Sequence, residues 1–368
     1  MNPQVKFERP PGSILVVVTR RIGDVFLSGA LIRSLHSAWP QSRIDLLVFA
    51  GTEGVAQTHP DVSSILTVPV HSGWTENLAL ARRLWKRYDL AVSTAPSDRP
   101  TLYALCAGRR SIGVMADGAK HAWKTGLLSA TVPFDDRATH TVVQNLMLAD
   151  ALGVPRVYEL PVRWREADER QLTTLVPDFG ARRHAVLHVY PKFPYKMWSH
   201  EGWSALVRWL LDRGFSVVVS GGPDPEERGY VDSLLAELEG RVVDLAGKLN
   251  FAQLAALFAL AAVYVGPDTA TTHLAAATGV PTVALFGPSN PVKWGPWPRG
   301  WSTAPSPYAS RGTQFRGNVA LVQGEGHCVP CLEEGCARTV ESESACLQML
   351  PARRVIDAIE QLWRDHAR

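Results

Sequence analysis

A run of short, mostly polar residues lies between two apolar segments in the stretch from Val263 to Pro291. Its members are Asp268, Thr269, Ala270, Thr271, Thr272 and His273. The run follows a strand-like segment and a Gly-Pro break, and the spacing predicts an alanine-rich helix over His273 to Thr278. Asp and Thr in this position either cap the helix or leave its first backbone N–H groups to an anion such as a phosphate. The residues alone leave both interpretations open.

A second carboxylate has a comparable position near the start of the chain. Ser13 to Thr19 is a continuous apolar run typical of a buried parallel strand, and Val25 to Trp39 has helical spacing of apolar residues. Asp24 is expected between them, at the carboxyl edge of a sheet, where open α/β folds bind ligands. Gly23 beside it allows a tight turn. Asp24 is therefore either a functional carboxylate or a helix cap.

Alternation of strands and helices continues along the chain and predicts two doubly wound α/β domains. The polar, charged stretch between Pro161 and Arg183 suggests a boundary at Pro177-Asp178. The predicted domains are residues 1–177 and 178–350, followed by a terminal helix within 351–368.

Length and composition narrow the classes of function. At 368 residues the chain is long enough for two domains, and 38 Lys and Arg against 35 Asp and Glu give a net charge of only +3. Such a balance gives no field that favours nucleic acid. No apolar run is long enough to span a membrane and the first residues do not resemble a signal peptide, so a cytoplasmic protein, at most peripheral on a membrane, is expected.

Four of the five cysteines cluster near the C-terminus, namely Cys328, Cys331, Cys336 and Cys346. Four thiolates suffice for a closed tetrahedral zinc site, although the spacing is not that of paired Cys-x2-Cys ribbons. A structural zinc site and a set of reduced thiols both remain open.

Four segments in order resemble glycosyltransferase family 9, the ADP-heptose:lipopolysaccharide heptosyltransferases, and among them the heptosyltransferase III-like branch. They are IGDVFLSGALIRSL, the segment beginning HVYPKFPYKMWSHEGW, VGPDTATTHLAAATGVPTVALFGPSNP, and HCVPCLEEGC followed by CLQML. The resemblance covers nearly the whole chain. It implies a GT-B fold, in which two Rossmann-like domains face each other across a cleft, the first binding mainly the acceptor and the second mainly the nucleotide-sugar. The terminal helix is then expected to pack back on the first domain.

The resemblance also implies an inverting transfer of heptose from ADP-heptose to a lipopolysaccharide inner-core acceptor by direct displacement. Asp24 matches the general base and Lys196 the basic residue that meets the diphosphate. The run from Asp268 to His273 matches the diphosphate cradle, with Ala270 where the family usually has Gly. Asp224 or Glu226 matches the acidic position that touches the ribose.

Further residues have looser assignments. Lys192 is either a second phosphate ligand or a solvated lysine. Arg20 and Arg21, with Gly23, are candidates for contact with the acceptor, or the two arginines are a surface pair flanking a strand. No Asp-x-Asp pair lies at a strand end, so no cofactor is expected for catalysis; zinc is expected at most as a structural ion. The expected form is a monomer on the cytoplasmic face of the inner membrane.

Three alternatives differ in class. A nucleotide-linked dehydrogenase is disfavoured because no G-x-G-x-x-G follows either first strand. A family relative that uses another nucleotide-sugar stays open because of Ala270. A non-catalytic sugar-nucleotide-binding module also stays open, although retention of Asp24 and Lys196 argues against it.

Overall fold

The structure is a computed structural model that describes residues 5–71, 73–118, 121–176, 179, 183–238 and 242–366. The chain separates into two compact units: Met1–Pro161 with Ser302–Ser306, and Val162–Trp301 with Pro307–Arg368. The first unit ends earlier than the predicted boundary, since the charged stretch after Pro161 contains a helix of the second unit. Pro177 and Asp178 themselves lie outside the described residues.

The first unit contains a parallel six-stranded sheet of order β3-β2-β1-β4-β5-β6. Its strands are β1 (Ser13–Val18), β2 (Arg43–Phe49), β3 (Ser64–Val68), β4 (Tyr88–Ser93), β5 (Gly108–Met115) and β6 (Ala130–Pro133). Its helices are α1 (Ile22–Leu27), α2 (Gly29–Ala38), α3 (Glu53–Ala56), α4 (Trp74–Leu84), α5 (Asp98–Ala107), α6 (Trp123–Leu127) and α7 (Thr141–Ala151). The strand order reverses between β1 and β4, so β1 lies at the switch point where such sheets bind ligands.

The second unit contains a seven-stranded sheet of order β12-β13-β11-β10-β7-β8-β9, parallel except for β12. Its strands are β7 (His184–His188), β8 (Ser216–Ser220), β9 (Val242–Asp244), β10 (Val263–Pro267), β11 (Thr282–Phe286), β12 (Gln314–Arg316) and β13 (Val319–Gln323). Its helices are α8 (Glu166–Leu175), α9 (His200–Asp212), α10 (Pro225–Ala236), α11 (Phe251–Ala259), α12 (Ala270–Thr278), α13 (Pro291–Trp294), α14 (Ala345–Gln348) and α15 (Ala352–His366). β7 and β10 are hydrogen-bonded neighbours, with Leu187 opposite Val265.

These elements confirm the predicted doubly wound α/β class. The sequence pattern predicts a loop with room for a helical turn over 121–131 and irregular structure over 294–318. The structure has the short helix α6 in the first region, together with the start of β6, and it has β12 in the second. Short edge elements such as these carry too few residues for a clear hydrophobic period.

The terminal helix α15 packs within the second unit. Val355, Ile359 and Leu362 are buried in the same apolar core as strands β7, β8 and β10. Trp363 stacks on Phe215 with ring centroids 5.1 Å apart and an interplanar angle of 2°. The resemblance implies a helix packed on the first domain; its apolar face instead completes the core of the second unit.

Candidate active site

Lys196 and Asp268 meet at the carboxyl edge of the second sheet. Lys196 ends a 3-10 turn, Pro194–Lys196, that follows β7, while Asp268 follows β10, the neighbouring strand. The Lys196 Nζ atom lies 2.6 Å from Asp268 Oδ2 and donates a second hydrogen bond to the Asp268 carbonyl at 3.3 Å. Both side chains are largely buried, with exposed fractions of 18% and 8%. The structure thus brings together two residues that the sequence assigned to one diphosphate site.

The pair has a third, buried neighbour in His273. Burial by itself raises the pKa of Asp268, but the charge and hydrogen bond of Lys196 outweigh burial, so the pKa is lowered and the carboxylate is ionised at neutral pH. Burial lowers the pKa of His273 to about 4, and the imidazole is therefore neutral. Among the described residues, its Nδ1 atom is buried without a hydrogen-bond partner. The neutral ring therefore keeps one buried nitrogen that no described residue satisfies.

Helix α12 begins next to this pair. Its N-cap is Thr269, and within the described chain no side chain accepts a hydrogen bond from its first turn. The Thr269 hydroxyl bonds that of Thr271 at 2.8 Å, and the Thr272 hydroxyl donates to the Pro267 carbonyl at 2.6 Å. The N–H groups of Thr272 and His273 bond the Thr269 carbonyl at 3.2 and 3.4 Å, which leaves those of Ala270 and Thr271 open to an anion.

Two details of the cradle differ from expectation. The helix starts at Ala270, three residues before the predicted start, so neither Asp268 nor His273 marks its first residue. Ala270 is itself helical and is absent from the residues with positive φ in the described chain. The missing glycine therefore costs no backbone strain at this position.

Three carboxylates in the acidic segment after β8 differ in their contacts and in their exposure to solvent. Asp224 caps α10 and accepts the N–H of Glu226 at 2.9 Å, whereas Glu226 is exposed. Glu227 was not singled out from the sequence, yet its Oε1 atom accepts the N–H of Gly222 at 2.7 Å. Burial raises the pKa of Glu227. The signal available in the sequence was a Gly-Gly turn followed closely by an acidic pair.

Lys192 makes no described contact with the Lys196–Asp268 pair. Its side chain is exposed and its Nζ atom lies 5.9 Å from the centroid of the Phe193 ring. No described contact connects it with Asp268, and its role as a second phosphate ligand stays a prediction beside that of a solvated lysine.

Asp24 belongs to the first unit, where it follows β1 as expected. Helix α1 begins earlier than predicted, at Ile22, with Arg21 as its N-cap, so Asp24 lies inside the first turn and is not the capping residue. Gly23 is likewise helical and forms no tight turn. The Arg20 Nε atom lies 3.6 Å from Asp24 Oδ1. Arg20 therefore faces the carboxylate, and both Arg20 and Arg21 are exposed.

The C-terminal cysteines are free thiols in the structure. Within the described ranges, no three His, Cys, Asp or Glu side chains form a grouping able to hold a metal ion. Burial, and then the charges of Cys331, Cys336 and Cys328, raise the pKa of Cys346 to about 11. Structural zinc at these four cysteines stays a prediction.

Two doubly wound α/β units place the chain in the GT-B fold class. The profile of glycosyltransferase family 9 (heptosyltransferase) matches residues 77–309. The chain belongs to this family.

Individual relatives agree with that assignment. The chain is 27% identical over 286 residues to lipopolysaccharide heptosyltransferase 3 of Escherichia coli K12, covering 75% of this chain and 82% of the relative. The structure of E. coli ADP-heptose lps heptosyltransferase II has a TM-score of 0.74 at 22% identity, with 97% and 100% of the chains covered. That of E. coli heptosyltransferase WaaC with ADP-2-deoxy-2-fluoro heptose has a TM-score of 0.70 at 20% identity, with 95% and 99% covered. At these identities the two structures establish the fold.

Proposed function

We propose that this protein transfers heptose from ADP-heptose to a lipopolysaccharide core acceptor, with inversion at the anomeric carbon. Family membership and the relatives named above support the class of substrate. The observation that carries the proposal is the Lys196–Asp268 pair beside the open start of α12. This arrangement suits a diphosphate better than it suits a neutral ligand.

The donor's diphosphate binds at the first N–H groups of α12, with Lys196 beside it. As the bond from the anomeric carbon to the diphosphate oxygen breaks, negative charge accumulates on ADP, and the ammonium group and helix N-terminus stabilise that charge. Asp268 holds the lysine in place through its 2.6 Å contact. In this proposal the lysine and the helix supply the positive charge, so transfer requires no divalent cation.

Asp24 acts as the general base. The acceptor hydroxyl oxygen forms a bond to the anomeric carbon, its proton passes to the Asp24 carboxylate, and ADP leaves with the electron pair of the broken bond. Arg20, at 3.6 Å, orients the carboxylate before the acceptor binds. The site acts at the cytoplasmic face of the inner membrane, with the protein as a peripheral monomer.

The test is heptosyl transfer by Asp24→Asn, with ADP affinity measured on the same preparation. We expect transfer to fall about 10²- to 10⁴-fold, the usual contribution of a general base, while ADP affinity stays within about twofold. Asp365→Asn, an exposed carboxylate of the second unit, is the matched control. Loss of ADP affinity equal to the loss of transfer would move Asp24 from catalysis to binding.

The same assay separates the alternatives. Transfer from a UDP- or GDP-sugar, without transfer from ADP-heptose, would keep the site and replace the donor. Tight binding of ADP without transfer to any acceptor would instead indicate a sugar-nucleotide-binding module.

A further inference from the structure

One side of helix α4 carries large apolar side chains that face solvent. Trp74, Leu78 and Trp85, which directly follows the helix, are 78%, 41% and 65% exposed. At 100° per residue the three positions fall within about 40° of one another, and they extend over roughly 16 Å of helix. We call these three residues the α4 stripe. An anchored stripe of exposed tryptophan and leucine is typical of an interaction surface.

The opposite side of α4 is firmly attached to the first unit. Leu84 is buried in the apolar core over β1 and β4, and Leu80 packs against that core. The Tyr103 hydroxyl donates to Asn77 Oδ1 at 2.8 Å, and the Lys86 ammonium donates to the Gly108 carbonyl at 2.8 Å. The α4 stripe is therefore exposed on a helix whose other side already packs on, and hydrogen-bonds to, the first unit.

Basic residues accompany the stripe. Arg82, Arg83 and Arg87 lie at its C-terminal end and all three are exposed. The one acidic residue of the helix, Glu76, accepts the N–H of Gly73 at the other end, at 3.1 Å. The surface thus combines interfacial aromatic rings with a cluster of positive charge, which complements an anionic bilayer.

We propose that the α4 stripe docks on the surface of an anionic phospholipid bilayer, with α4 lying in the plane of the interface. The tryptophan rings enter the headgroup region, where indole is favoured, and the arginines pair with lipid phosphates. The inference deepens the proposed function, because a lipopolysaccharide acceptor is itself a membrane lipid. Docking on a bilayer does not depend on heptosyl transfer, however, so an experiment can reject either proposal without rejecting the other.

The experiment is co-sedimentation of the full chain with vesicles of phosphatidylglycerol and phosphatidylcholine, compared with phosphatidylcholine alone. We expect binding to the anionic vesicles that weakens as salt rises. Trp74→Ser with Trp85→Ser should weaken this binding about tenfold or more, and Arg82→Gln with Arg83→Gln should have a similar effect. Met349→Ser, which alters a 70% exposed methionine of the second unit, is the matched control and should bind like the wild type.

Thermal unfolding of each variant checks the fold, which exposed substitutions should leave intact. Equal binding by the wild type and the tryptophan variant would overturn the proposal. So would a dimer of the wild type that dissociates in the tryptophan variant without any vesicle binding, because the stripe would then contact a second copy. Vesicle binding by a chain that transfers no heptose would leave the docking surface standing and reject the proposed function.

Discussion

Replacing Lys196 with methionine tests the ion pair at the start of α12. The substitution keeps the length of the side chain but leaves the Asp268 carboxylate, 8% exposed, without its cation. Removing one member of a buried pair typically costs 3–5 kcal/mol, and because Lys196 retains some solvent contact we expect the lower end, about 3 kcal/mol. For a domain of roughly 200 residues this corresponds to a fall in Tm of about 6–12 °C.

The pH dependence of that fall identifies its cause. In the wild type the lowered pKa of Asp268 contributes stability that is present above about pH 4 and is lost only as pH falls through the folded-state pKa. In Lys196→Met, burial dominates and raises the pKa, so Asp268 or the neighbouring His273 takes up a proton as the solution becomes more acidic. The difference in Tm between variant and wild type should therefore shrink between pH 7.5 and pH 5.

Differential scanning calorimetry of both proteins across this pH range measures the effect. Lys192→Met is the matched control, because Lys192 is an exposed lysine four residues away, and it should unfold within about 1 °C of the wild type. A Lys196→Met protein as stable as the wild type, or one whose deficit is the same at every pH, would refute the reasoning.

Three further predictions concern single residues. Glu227→Ala should weaken ADP binding about tenfold or more, because it removes a charged acceptor beside Gly222. Asp224→Ala should instead lower the free energy of unfolding by only about 1 kcal/mol, because it removes a helix cap. Equal ADP affinities of the Glu227→Ala and Asp224→Ala proteins would remove Glu227 from the site. Gly279→Ala should lower Tm by about 2–4 °C, because Gly279 has a φ of 92° that alanine adopts only with strain. Gly229→Ala is the control and should not lower Tm, because Gly229 lies in open space within α10. The same fall in Tm in both proteins would contradict the explanation by backbone strain. Cys346 has a pKa of about 11, so its thiol should be alkylated slowly at pH 8 and faster toward pH 11, where the thiolate forms. Release of one zinc ion per chain on alkylation would instead establish the predicted zinc site.

The sequence predicted those features that depend on local pattern. The buried run at Ser13–Val18 and the strand-helix alternation gave the doubly wound class, because continuous apolar strands and amphipathic helices have distinct periods. Asp24 and the run from Asp268 to His273 were placed correctly after their strands. Helix starts were predicted less well, since α1 begins at Ile22 and α12 at Ala270, each three residues before its predicted start at Val25 or His273.

Features that depend on strand order were beyond the sequence. Lys196 and Asp268 are separated by 72 positions, and they meet only because β7 and β10 are adjacent in the sheet. The packing of α15 on the second unit has the same origin, since its apolar face shows that it is buried but not where. Glu227 was missed because its contact with Gly222 requires the chain to fold back over five residues.

Calorimetric titration with ADP, UDP, GDP and NAD, first without divalent metal and then with Mg²⁺, tests the central claim most directly. The account predicts selective binding of ADP that does not need the metal and that Lys196→Met weakens by about tenfold or more. Binding of NAD alone, or ADP affinity that is unchanged by Lys196→Met, would contradict it.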